Sequence, residues 1–253
     1  ALQLAHLLSR TDEWEKAKDL LLDMLSQYGT DPAVQATYIA LLIDHDEFSS
    51  AEGRIKRLEE LDPSSGSLLQ LSARLASERG DQAGLTRLLR ARVPNLKGAM
   101  SAEQLQGVLG IARLAEQYGA YELAEELYRS YVKRLPDEEF ELAKYLALHG
   151  DCEEGVAIMK RQFENHMDEV IQLGTRMLAA RRAEIGEQYN EPIDQFIRRS
   201  LRDDPDSVSR KIVRAEAYDA QGKYQESIEA YDSLLKRGDV PPRMRAAVMN
   251  NLG

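Results

Sequence analysis

The 253-residue sequence has one cysteine, four histidines, one tryptophan and only 6% aromatic residues. A single cysteine excludes an intrachain disulfide and any multi-thiolate zinc site, and four histidines leave little for a histidine cluster. Basic residues are in deficit as well, 33 Lys and Arg against 43 Asp and Glu, for a formal net charge of -10. That balance argues against nucleic-acid binding, which draws its affinity from a positive field that displaces counterions. No stretch approaches the roughly 18 to 20 apolar residues that a membrane-spanning helix needs. The opening ALQLAHLLSR lacks the basic start and long apolar middle of a signal peptide, and the compartment stays open. A Gly-rich phosphate loop, HExxH and GxSxG are all missing, so neither an enzyme active site nor a cofactor is expected. Hydrophobic residues nevertheless make up 43% of the chain, enough to fill a sizeable core.

What the sequence does contain is a repeat. A short polar turn is followed two residues later by a large side chain, and three further on by a small one. The pattern reads Asp12, Trp14, Ala17, then Asp46, Phe48, Ala51, then Gly119, Tyr121, Ala124, then Gly222, Tyr224, Ser227. Weaker copies sit at Gly80 and at Gly150, Cys152, Gly155. The turn residues advance by 34, 34, 39 and 31 positions, and then by 72, which is two periods. Pro32, Pro63, Pro94, Pro136, Pro205 and Pro241 fall where one copy gives way to the next. Asp precedes Pro at 31, 62 and 204, which reads as a capped helix start. Between these marks the apolar spacing is helical, as in Tyr38, Ile39, Leu42 and then Ala51, Ile55, Leu58. Each copy is therefore a helical hairpin, and amphipathic hairpins must stack to bury their apolar faces.

These residues resemble the tetratricopeptide repeats, a family whose copies carry small and aromatic residues at fixed places on two helices. Residues 208–241 match through Ala215, Tyr218, Gly222, Tyr224, Ser227 and Tyr231. Residues 105–138 match through Ile111, Ala112, Ala115, Gly119, Tyr121, Ala124, Tyr128 and Pro136. Residues 32–65 match through Ile39, Leu42, Phe48, Ala51, Ile55 and Pro63. The resemblance implies an all-α superhelix, a solenoid of about seven hairpins over 1–29, 32–65, 66–95, 101–135, 136–166, 167–204 and 208–241, with 244–253 opening a further copy. Ser101 with Gln104 forms a capping-box pattern where the fourth hairpin restarts. Around 181–192 either the turn is longer or the first helix runs on, with Pro192 opening the second. The chain reads as a fragment of a longer protein.

Two clusters invite a chemical reading. Cys152 lies among His149, Asp151, Glu153 and Glu154, but it occupies the slot of Trp14, Phe48, Tyr121 and Tyr224, expected to pack between helices. Asp44, His45, Asp46 and Glu47 are consecutive in a turn rather than convergent, and suit the start of a helix.

In the resembled family the first helices line an inner surface that binds extended peptides. Six residues before each turn stand His6, Ala40, Arg74, Arg113, Lys144 and Glu216, with Thr175 in the degenerate sixth copy. Arg74, Arg113 and Lys144 thus form a short basic ladder. Four residues earlier stand Leu2, Ala36, Gln70, Leu109, Phe140, Ile171 and Ile212, mostly apolar. A ladder beside an apolar strip suits a protein or peptide partner with apolar anchors and a carboxylate or acidic side chain. The plainer alternative makes the three cations solvated charges whose stems cover apolar surface. The chaperone-type carboxylate clamp is not implied, because Ala36, Ala40, Gln70 and Arg74 stand at its positions. The expected function is a non-catalytic binding scaffold. The competing readings are a spacer or oligomerising arm that self-associates through truncated ends, and a regulatory segment of a larger multidomain enzyme.

Overall fold

The computed structural model describes every residue except Asp12, Thr30, Ser64 and Gly253, and it leaves the side chain of Leu252 undescribed. The first turn marker, the Thr of the first Asp-Pro motif and the final Gly therefore lie outside the described residues. Among those described, the chain is all α, with no strand. It divides into two compact units, Ala1–Leu127 and Tyr128–Gly253.

The first unit holds α1 (Leu2–Arg10), α2 (Trp14–Tyr28), α3 (Pro32–Asp44), α4 (Phe48–Leu61), α5 (Gly66–Glu78), α6 (Gln82–Arg90) and α7 (Ala102–Gln117). α8 (Tyr121–Val132) runs across the division. The second unit holds a 3-10 turn at Pro136–Glu138, α9 (Glu139–His149), α10 (Cys152–Gln162), α11 (Met167–Ile185), α12 (Asn190–Asp203), α13 (Val208–Ala220), α14 (Tyr224–Leu235) and α15 (Pro242–Leu252). Helices pair as hairpins, and within each unit the first helices also pack on one another: α1 on α3 and α3 on α5, then α9 on α11 and α11 on α13. That is the stacking a helical repeat uses to bury faces no single hairpin could cover.

The turn marker has a backbone reason. Gly80, Gly119 and Gly222 take φ of 71°, 81° and 74°, the left-handed region open to glycine at no steric cost. Asp46 takes φ of 58° at the same place, as the one non-glycine with positive φ among the described residues. Gly150 departs from the rule, with φ of -122°. The Ser101–Gln104 capping box is present, with Ser101 N donating to Gln104 Oε1 at 2.9 Å and Gln104 N donating to Ser101 Oγ at 3.2 Å.

The Asp-Pro pairs require a correction. Only Asp31 caps a helix, accepting from Ala33 N at 2.8 Å with Pro32 in the first position. Asp62 and Asp204 instead end α4 and α12, and Ser65 and Ser207 stand at the next N-caps. A residue before proline is pushed out of the helical region, and both adopt extended backbone, φ -146° and -136°. There the proline acts as a stop. The sixth hairpin keeps its first helix running to Ile185, the longest helix in the chain, and Pro192 stands third in α12.

The small residue after each turn marks where the two helices of a hairpin come closest. Ala17, Ala51 and Ala124 are fully buried. At Gly155 a Cβ would stand 3.1 Å from Ala147 N, and Ser227 Oγ donates to the Ala215 carbonyl at 2.9 Å. In the sixth hairpin Gly174 on α11 makes the approach, and a Cβ there would fall 2.6 Å from Ile193 Cδ1. Around these points sit fully buried Ile39, Leu42, Leu58, Leu85, Leu127, Leu146 and Ile158, each stabilising the fold by about 1.5–3 kcal/mol. No helix of the described residues is long and apolar enough to cross a membrane.

Candidate functional site: a groove on the first helices

In the first unit, residues of α3, α5 and the α7 end enclose a groove of about 360 Å³. Its lining includes Ala36, Ala40, Gln70 and Arg74, with Ser67, Leu71, Gln117 and Tyr118. The first four are the ten-before and six-before positions of two successive hairpins. α3 presents only methyl groups there because its bulkier side chains, Tyr38, Ile39, Leu41, Leu42 and Ile43, turn into the core. The α7 end is held by Ser77 Oγ, which donates to the Tyr118 carbonyl at 3.1 Å. Arg74 projects from α5 and is ion-paired with Asp44 at the end of α3. Its side chain is 29% exposed, so the charge is oriented but still reachable. Arg113 is exposed on α7.

Behind this groove the residues of the 44–47 turn diverge to separate partners. His45 stacks on Trp14 with ring centroids 4.1 Å apart, and its Nε2 lies 2.8 Å from Ser9 Oγ. Glu47 accepts from Lys18 Nζ at 2.7 Å and from Trp14 Nε1 at 2.9 Å. The Lys18 hydrogen bond holds the Glu47 carboxyl below the usual carboxylate range, and Glu47 raises the Lys18 ammonium in return. This network ties the first hairpin to the second and fixes the turn from which Asp44 reaches Arg74. Among the described residues no group of three His, Cys, Asp or Glu side chains is placed to hold a metal ion.

The second unit treats the equivalent positions differently. Lys144 on α9 pairs with Glu141 at 2.8 Å and Glu169 at 3.5 Å, and its ammonium lies 5.1 Å from the Phe140 ring centroid. Phe140 is buried and stacks on His166, centroids 4.6 Å apart. The His166 hydrogen bond holds Glu169 below its ordinary range. Ile171 is 1% exposed and Leu109, in the first unit, 4%, so both are core side chains, while Ile212 is half-buried against Ala215, Tyr231 and Val248. Glu216 is half-buried on α13, and desolvation raises its carboxyl above the usual range.

The slot two residues after the turn also splits. Trp14 and Phe48 pack against the core of the first unit and Cys152 is buried, but Tyr121 is 45% exposed and Tyr224 62% exposed. The expectation that all of them pack between helices fails for these two tyrosines. The slot is the first residue of the second helix, so it is covered only where another hairpin's turn reaches over it, as His45 does over Trp14. Cys152 Sγ donates to the Ala147 carbonyl at 3.7 Å, and burial pushes its thiol upward, away from thiolate chemistry.

Sequence reasoning missed a set of arginines. Arg181 stands where other copies have their turn, yet it is still helical. Its Nη1 donates to the Gly150, Leu146 and Ala147 carbonyls at 2.8, 3.2 and 3.3 Å, capping the C-terminus of α9. Arg210 donates to the Ser200 carbonyl of α12 at 2.7 Å, and Arg245 to the Leu235 carbonyl of α14 at 2.9 Å. An arginine on a first helix thus caps the C-terminal carbonyls of an earlier helix three times over. The available signal was an Arg in place of the turn glycine at 181.

No protein-family model matches the chain, and no curated protein matches it. Solved structures do. One is the structure of Naa15/Naa10 bound to HypK-THB, at 14% identity and a TM-score of 0.42, over 99% of this chain and 37% of that chain. Another is the crystal structure of the P58(IPK) TPR domain, at 14% identity and a TM-score of 0.28, over 97% of this chain and 85% of that one. The chain therefore spans little more than a third of the length of the first. Its own helices pair as hairpins, with glycine-type turns and small residues at the crossing.

Proposed function

We propose that the chain is a non-catalytic scaffold that docks an extended segment of a protein partner on the first-helix face. The observation that supports this reading is the groove lined by Ala36, Ala40, Gln70 and Arg74, where the repeat-equivalent positions of adjacent hairpins converge. Two methyl groups, an exposed amide and an oriented guanidinium suit a peptide that offers a small apolar side chain and a carboxylate. Asp44 holds Arg74 in place, and a partner carboxylate would share its remaining donors. Arg113 occupies the same repeat position on α7, and Lys144 does so in the second unit. Leu109, Phe140 and Ile171 support the backbone beneath these cations rather than touching a ligand, so the recognition assigned to them shifts to Ala36 and Gln70.

The test compares partner capture by the parent chain and by an Arg74→Glu, Arg113→Glu, Lys144→Glu variant, with circular dichroism checking that both are folded. Loss of a specific partner from the folded variant is the expected result. Capture of the same proteins by both would overturn the groove as the docking surface. A second reading, self-association, is favoured by Leu4 and Leu7, exposed on one side of α1. Sedimentation of the parent beside Leu7→Glu tests it, a dimer lost in the variant being the expected outcome.

A further inference from the structure

We infer that the second unit carries a separate docking cleft for an acidic peptide segment with apolar anchors, lined by α10, α12 and α13. The cleft measures about 780 Å³. Its apolar surface comes from Val156 on α10 and from Pro192, Phe196 and Leu201 on α12. Lys160, Arg198, Arg199, Arg202 and Arg214 surround it, five cations with no carboxylate among the lining residues. This is in a chain whose net charge is -10.

Two of those cations are already matched. Arg198 pairs with Glu191, and Arg199 pairs with Glu164 while lying 4.9 Å over the Phe163 ring. The other three are not. Arg214 donates to the Tyr218 hydroxyl at 2.7 Å, a neutral partner, and Lys160 and Arg202 are exposed with no carboxylate partner among the described residues. Like charges gathered at one cleft repel, and an anion placed among them relieves that repulsion. Four of the five are arginines, whose planar forks bind carboxylates in pairs of hydrogen bonds.

The apolar lining decides what kind of anion fits. A bare phosphate would leave the half-buried Val156 and Leu201 wet, whereas a peptide with alternating acidic and aliphatic side chains covers them and meets the cations. A nucleic-acid strand fits poorly, because its continuous phosphate backbone would run on past Arg202 to Asp203, Asp204 and Asp206, whereas a short peptide can set its acidic side chains at the cations and end before them. The volume lies within the range of about 300–1,000 Å³ typical of ligand pockets, so the occupant is a short segment rather than a domain. This cleft draws on none of the groove residues of the first unit.

The test is fluorescence anisotropy with a labelled peptide of alternating Glu and Leu residues, against an all-Glu peptide, a Lys/Leu peptide, inorganic phosphate and a single-stranded oligonucleotide. The expected result is that the Glu/Leu peptide binds in a salt-sensitive manner and the others bind about tenfold more weakly or not at all. Lys160→Glu with Arg202→Glu should weaken binding by about tenfold or more. The milder Lys160→Gln with Arg202→Gln should weaken it in the same direction, with an unchanged circular dichroism spectrum in each case. Arg74→Glu should leave it unaltered. No binding of the Glu/Leu peptide would overturn the inference. So would equal binding by the double variants, or binding of the all-Glu peptide or oligonucleotide as tight as that of the Glu/Leu peptide. Loss on Arg74→Glu alone would place the peptide in the groove instead.

Discussion

Arg181→Met removes the guanidinium from the end of α9 while keeping most of the side-chain stem in place. Arg181 is only 12% exposed, and one of its nitrogens serves three carbonyls, the nearest at 2.8 Å and the others beyond 3.1 Å. We count one strong charge-assisted bond, about 1.5–3 kcal/mol, and add up to about 1 kcal/mol for a cation at a helix C-terminus. The loss is then about 1.5–4 kcal/mol, confined to the α9 end because Gly150 does not close the turn with a left-handed residue. Hydrogen exchange read by mass spectrometry is the assay. Amides in the last turn of α9 should exchange roughly 10- to 1,000-fold faster, with α3 and α4 unchanged. Glu184→Ala is the control, since that side chain is 65% exposed and solvent screens its ion pair. Unchanged protection in Arg181→Met, or an equal effect from Glu184→Ala, would refute the capping role.

Trp14 fluorescence should report the pH dependence of the contact between the first two hairpins. Glu47 is held below its ordinary value of 4.5, so its stabilisation is complete above that pH and is lost as pH falls below it. Lys18, raised above 10.5, loses its share only as pH climbs past that value, and Glu47→Gln should abolish the acidic limb. Glu216 titrates with the opposite sign. Its raised carboxyl opposes folding while charged, so stability should grow as pH falls toward 4.5, and Glu216→Gln should stabilise at neutral pH in a urea melt. Gly119→Ala should cost roughly 1–2 kcal/mol by forcing a Cβ into φ of 81°. Asp46→Gly, at φ of 58°, should instead gain up to about 1 kcal/mol, and thermal melts of both decide the point.

The hairpins were legible because their signals are local. A turn residue, a crossing residue and an apolar stripe lie within a few positions of one another, and Gly80, Gly119 and Gly222 mark turns whose backbone only glycine adopts freely. The Asp-Pro pairs misled because one dipeptide can start a helix, as at Asp31, or stop one, as at Asp62 and Asp204. Tyr121 and Tyr224 were placed in the core because their slot is covered in the early copies, and coverage depends on a neighbour the period does not reveal. The apolar strip was misjudged for a similar reason. A residue ten before the turn lies one helical turn from the fully buried crossing position seven before it, as Leu109 does from Ala112 and Phe140 from Ala143. A large apolar side chain there rolls into the core, and only small or polar ones, Ala36 and Gln70, stay at the groove. Arg181 reaches a carbonyl 31 positions away, a contact no spacing rule encodes.

The most direct test of the docking face is site-specific photocrosslinking. A benzoylphenylalanine at position 70, in the groove, is compared with one at position 59, on the exposed side of α4, in the presence of a captured partner. The expected result is a partner crosslink from position 70 that disappears with Arg74→Glu, and none from position 59. Equal crosslinking from both positions, or crosslinking from position 59 alone, would contradict the assignment of the first-helix groove as the binding surface.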